Sequence, residues 1–143
     1  MREQFDREGI IFLSEYVAVT RRFSGKVPGL RASGSLASYV GSLVFTSQRA
    51  VATLSSVPKL AGRTMDVRWS ESQPGAVKAE ISSSGVTLDV DVAAVDPTFS
   101  GQLSLTYKVD IPDEVLTRLP TRHLEFSVPP EYVYRAVGVP HNP

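Results

Sequence analysis

Over most of the chain, apolar and polar residues alternate with a period of two, the spacing of strands that bury one face. The clearest stretch is a hairpin. Val77, Ala79 and Ile81 fall on one side and Lys78 and Glu80 on the other. After a Ser-Ser-Gly turn, Val86, Leu88, Val90 and Val92 point inward and Thr87, Asp89 and Asp91 outward. QLSLTYKVDI repeats the pattern with Leu103, Leu105, Tyr107 and Val109 inward, and Ser104, Thr106 and Lys108 outward. RTMDVRWS places Met65, Val67 and Trp69 together against Asp66 and Arg68, and RHLEFSV aligns Leu124, Phe126 and Val128. GSLVF and AVATLS flank a polar turn at residues 46–49, which reads as a second hairpin. GIIFLSEYVAVTRRF is rich in β-branched and aromatic residues and predicts a first strand with Ile11, Leu13, Val17 and Val19 on one parity.

The period changes twice near the end. PDEVLTRLP opens on a proline and two acids, and PPEYVYRAVG opens on prolines and stops at Gly138, so each predicts a short helix. TRRFSGKVPGLRASG, punctuated by Gly25, Pro28, Gly29 and Gly34, reads as a long loop or a hairpin with mobile arms. VPKLAG is a connector, and residues 139–143 are a loose tail. The expectation is a mainly β domain spanning residues 1–143: an antiparallel, seven- to eight-stranded bent barrel, or a sandwich, with two short helices near the C-terminus.

Composition narrows the chemistry. The 143 residues include no cysteine, which excludes disulfides, thiolate catalysis and cysteine zinc sites. The charged start, MREQFDREG, has no apolar core of a signal peptide, and no apolar run approaches the ~18 residues of a spanning helix, so a cytoplasmic location is expected. Eleven arginines against four lysines, with a single asparagine, suggest a GC-rich bacterial source.

Net charge is zero but segregated. Residues 16–65 hold seven cations and no acid, whereas residues 79–114 hold seven acids and Lys108. Such separation points to an anionic partner or to self-association through complementary faces. The densest cationic cluster is Arg21, Arg22, Lys26 and Arg31.

No catalytic or metal-ligating constellation stands out. His141 lies in the tail, and His123 reads as a surface residue at a strand start. Asp89 and Asp91 share a strand face ~7 Å apart, without the loop of a calcium site. Nucleophile-elbow, phosphate-loop and dinucleotide motifs are absent. Neutral charge and scattered aromatics speak against nucleic acid. No cofactor and no enzyme activity are expected.

The stretch GSLVFTSQRAVATLSS, with Thr46, Ser47, Gln48 and Arg49 turning the chain between strands, resembles the corresponding segment of pleckstrin-homology-like and GRAM-type domains. The likeness in element order covers about residues 9–119. It implies a seven-stranded bent barrel capped by a helix, with basic residues around the first hairpin that contact anionic lipid headgroups or protein segments. Here Arg21, Arg22, Lys26 and Arg31 take that position. The expected function is a non-enzymatic binding module, peripheral to a membrane or docked on a protein. The alternative is a calycin-like barrel holding a small apolar ligand in its interior.

Overall fold

A computed structural model describes residues 2–54 and 62–137. Its strands are β1 (Ile10–Val27), β2 (Leu30–Thr46), β3 (Arg49–Leu54), β4 (Gly62–Arg68), β5 (Val77–Ser82), β6 (Gly85–Asp91), β7 (Ser100–Lys108) and β8 (His123–Phe126). They form one antiparallel sheet in the order β4-β3-β2-β1-β7-β6-β5-β8, bent into a nearly closed barrel. Two meanders, β1–β4 and β5–β7, are therefore joined by the pairing of β1 with β7. After β4 a 3-10 turn, Trp69–Glu71, carries the chain to the edge of β8. There Gln73 N donates to Glu125 O at 3.1 Å and Glu125 N donates to Ser72 Oγ at 2.9 Å, which draws the two ends of the sheet together.

The mainly β barrel and the two late helices match the sequence expectation. These helices are α3 (Asp113–Leu116) and α4 (Pro130–Val137). Two further helices, α1 (Arg2–Glu8) and α2 (Val92–Val95), carry no periodic signal: α1 has Phe5 as its lone apolar side chain, and α2 is a single turn. The expected connector, except Gly62, and the tail with His141 lie outside the described residues.

Two expectations need correction. Of the two readings of residues 20–34, the hairpin holds and the loop does not. β1 and β2 run 18 and 17 residues, paired up to Val27 opposite Leu30, with Pro28 and Gly29 alone in the turn. Gly29 takes φ 91°, the conformation that follows proline in a tight turn and that other residues resist. The alternation was masked because the inward positions of these arms include Arg21, Ser35 and Ala37 beside Phe23 and Val27.

The second correction concerns parity. One extra residue sits in β1 between Ser14, opposite Leu43, and Val17, opposite Gly41. The bulge puts Tyr16 at φ 59°, 86% exposed, and reverses the faces of the strand. Leu13 consequently packs with Ile10, Phe5, Val44 and Val51 on the outer side, while Val17 and Val19 enter the barrel. Phe12 stacks on Phe45 at 5.7 Å.

The barrel interior is filled. Phe23, Leu43, Phe45, Met65, Leu88, Leu103, Leu105, Tyr107 and Leu124 are each less than 2% exposed and belong to one continuous core. Helix α4 buries Tyr132, Val133, Tyr134, Ala136 and Val137 against it. Tyr132 Oη donates to Thr64 O at 2.8 Å, and Tyr134 meets Phe99 edge-on at 5.4 Å. Tyr107 is held between Thr64 Oγ1 at 2.6 Å and Thr53 O at 3.0 Å, and burial raises its pKa. A hollow of about 20 Å³ between β4 and α4 has room for one water.

Candidate functional site

Strand parity divides the four predicted cations. Consecutive side chains of a strand point to opposite faces, so Arg21 and Arg22 cannot do the same work. Arg21 turns inward and is 5% exposed. Its Nη1 donates to Val137 O at 2.9 Å and its Nη2 to Ser35 Oγ at 2.9 Å. The guanidinium thus sits at the carbonyl end of α4, where a cation is favoured by the helix dipole. Arg21 holds the last helix to the barrel and is withdrawn from the anion-contacting set predicted from sequence.

Arg22, Lys26 and Arg31 point outward and are exposed. Lys26 and Arg31 are direct cross-strand partners at the hairpin tip. Like charges in that relation oppose strand pairing, typically by roughly 0.2–1 kcal/mol. Among the described residues no carboxylate pairs with any of the three. Gly25 and Gly101, paired on β1 and β7, let the backbones meet closely beneath Lys26: a Cβ on Gly101 would lie 1.9 Å from Ser24 O.

The face gains members that sequence reasoning did not place there. Lys108 is paired with Ala18, and with Thr20, Arg22, Ser104 and Thr106 it lines an open hollow of about 260 Å³. Its alternation marked it as outward, but only the β1–β7 pairing moves it from the acidic segment to the cationic side. Leu36, 59% exposed, is the cross-strand partner of Arg22 and adds an apolar contact among the cations.

The Thr-Ser-Gln-Arg turn that carried the family resemblance performs a structural task. Thr46 Oγ1 accepts from Gln48 N and Arg49 N at 3.1 and 3.0 Å, closing the β2–β3 turn. The same hydroxyl donates to Glu8 Oε1 at 2.8 Å. Arg49 Nη2 lies 2.9 Å from Glu8 Oε2, and its Nη1 lies 3.2 Å from Asp66. Arg49 and Arg63 lie over the Phe5 ring at 5.1 and 5.6 Å. The cluster is closed: its charges are opposed in pairs, and it fastens α1 over the outer apolar patch of β2 and β3.

His123 is exposed, as expected, but it is not isolated. Its Nδ1 meets Glu80 across the β5–β8 pair, and its Nε2 meets Glu125, two residues on along β8, at 2.9 Å. Hydrogen bonds to Glu125 and then Glu80 hold its pKa above the ordinary histidine value, and His123 in turn lowers that of Glu125. The carboxylates lie on opposite sides of the ring, so they clamp the imidazole and do not converge on a shared ion. No cluster among the described residues could hold a metal. Asp96 is occupied by Thr98 N and Oγ1, both at 2.8 Å.

No family model matches this chain, and no curated protein or solved structure matches it either. No helix among the described residues is long and apolar enough to cross a membrane.

Proposed function

We propose that the chain is a non-enzymatic binding module whose β1–β2 hairpin docks on an anionic lipid surface. The carrying observation is the pairing of Lys26 with Arg31, flanked by Arg22, on an exposed face with no opposing carboxylate among the described residues. An array that disfavours the isolated fold gains from meeting fixed negative charge. Exposed Leu36 beside Arg22 suits an interface where headgroups adjoin acyl chains. The pleckstrin-homology-like resemblance is in keeping with this reading, since it too expects basic residues around the first hairpin of a barrel with a late helix. The apolar-cargo alternative lacks comparable support, because packed side chains occupy the interior.

Each cation near an anionic leaflet contributes about 1 kcal/mol, so removing three lowers partitioning on the order of 100-fold. Co-sedimentation with phosphatidylserine-containing vesicles measures this. Binding should weaken with salt and fail for the triple variant Arg22→Ala, Lys26→Ala and Arg31→Ala, without loss of thermal stability. Equal binding to zwitterionic vesicles, or none to either, refutes the proposal; retention by a protein ligand in place of vesicles would redirect it to a protein partner.

A further inference from the structure

The linear charge separation becomes a spatial one. Rows of outward residues can be followed across the sheet through the strand pairings. One row reads Glu125, Lys78, Asp89, Ser104, Arg22, Leu36. The rows on either side of it run through Thr87, Thr106 and Thr20, and through Asp91, Gln102 and Ser24. The stretch of β7 from Gln102 to Thr106, uncharged on this face and followed by outward Lys108, thus forms a seam. On its β6 side stand Asp89 and Asp91, and on its β1 side stand Arg22 and Lys26.

Strands lie about 4.8 Å apart, so Asp89 and Arg22 of one molecule are roughly 10 Å from each other across the seam. Among the described residues neither is ion-paired. Open hollows flank the seam, about 330 Å³ beside Asp89 and Asp91 and about 260 Å³ beside Arg22.

We infer that this face is a self-complementary docking surface for a second copy of the chain. A two-fold axis running along β7, midway between two copies, exchanges the β6 and β1 sides. Asp89 then opposes Arg22 of the second copy, and Arg22 opposes its Asp89. Asp91 enters the cationic side between Arg22 and Lys26 of that copy. Gln102, Ser104 and Thr106 on the axis carry no charge and let the seams approach, while Lys108 at the end of β7 meets its own copy as one like-charge contact set against the four-residue Asp–Arg pairing. The contact closes on itself and stops at a dimer, unlike a head-to-tail arrangement, which propagates. A barrel wall is convex, so the shared area is narrow and the association depends on charge and salt. The inference uses the cations of the proposed lipid site but does not rest on lipid recognition. It adds that dimerisation covers Arg22, so vesicles and the second copy compete for it.

Light scattering coupled to size-exclusion chromatography, at about 20 mM and about 300 mM salt, tests it. The full chain should be dimeric at low salt and monomeric at high salt. Arg22→Asp and Asp89→Arg, each alone, place like charges opposite one another and should weaken the dimer about tenfold or more. Mixing the two variants should restore a dimer, because each heterodimer regains two opposite-charge pairs. Arg22→Glu mixed with Asp89→Lys provides an independent pair should either first variant fold poorly. A wild-type monomer at low salt, an undiminished dimer in either single variant, or monomers in both mixtures overturns the inference. Vesicle binding separates it from the proposed function: Asp89→Arg should bind anionic vesicles at least as well as wild type, and vesicle binding can fail while the dimer persists.

Discussion

The N-terminal helix should behave as a latch fastened by one ion pair. Glu8 and Arg49 side chains are only 7% and 10% exposed, and their closest approach is 2.9 Å. Cutting one member of a buried pair costs about 3–5 kcal/mol when the other stays buried. Here the survivor has an escape, because α1 can leave. Burying Phe5 contributes about 1.5–3 kcal/mol and its two cation–π contacts about 0.5–1 kcal/mol each. Ordering the seven residues of α1 costs roughly 7 kcal/mol of backbone entropy, so the apolar contacts alone do not hold it. Glu8→Ala should therefore release α1 as a unit, at a global cost of about 2 kcal/mol, because the exposed Arg49 keeps Asp66 as partner. Amide hydrogen exchange should show residues 2–8 losing protection while the strands keep theirs. In a urea-denaturation cycle with Arg49→Met, the second substitution should add little, leaving a coupling of about 1.5 kcal/mol. Intact protection of α1 in Glu8→Ala, or effects additive to within about 0.5 kcal/mol, would show that Phe5 and not the ion pair fastens the helix.

Three further outcomes follow from the geometry. His123 has a raised folded-state pKa, so its contribution is complete below its unfolded value near 6.5 and is lost as pH rises through the folded one; its exposure limits this to about 0.2–1 kcal/mol. Denaturation midpoints at about pH 6 and pH 8.5 should reveal the loss in wild type and a smaller one in the Glu80→Gln, Glu125→Gln variant; equal pH dependence in both would refute the clamp. Gly101→Ala should cost about 2–4 kcal/mol in urea unfolding, since its φ is 104° and its Cβ would strike Ser24 O at 1.9 Å, and a loss below about 0.5 kcal/mol would refute that steric reading. Arg21→Met should lower stability by about 1–3 kcal/mol by freeing Val137 O and Ser35 Oγ, while Arg22→Met leaves stability unchanged; equal melting temperatures would refute the division of roles.

The β5, β6 and β7 strands were legible because their inward positions are almost uniformly Val, Leu, Ile or Tyr and their outward ones polar. Alternation failed where the buried row is chemically mixed. In β2 the inward positions of the hairpin arm include Ser35, Ala37 and Tyr39, half-buried, so nothing in composition separates them from a loop. The bulge at Glu15 and Tyr16 left no local mark, since neither residue is a glycine, and a one-residue insertion reverses every assignment on one side of it. Helix α1 escaped because its stability comes from tertiary partners 38 or more positions away, Arg49 among them.

The charged face shows most plainly what one dimension withholds. Arg21 and Arg22 are neighbours of identical chemistry, yet the pleat sends one to cap α4 inside the molecule and the other to the surface. Their roles depend on the register of β1, which the upstream bulge sets. A slip of one residue would bury Arg22 and Lys26 and expose Val19 and Phe23, so the charge pattern and the core pattern are a single constraint. The opposition of acidic and basic segments was visible as a count along the chain. Their placement on one face required β1 to lie next to β7, a pairing between residues about 80 positions apart that alternation cannot encode. Once that pairing is made, Asp89 and Asp91 are brought near Arg22 and Lys26 without pairing with them within a molecule. The two groups stand two strands apart on one wall, where each is available to a second surface that presents the opposite sign.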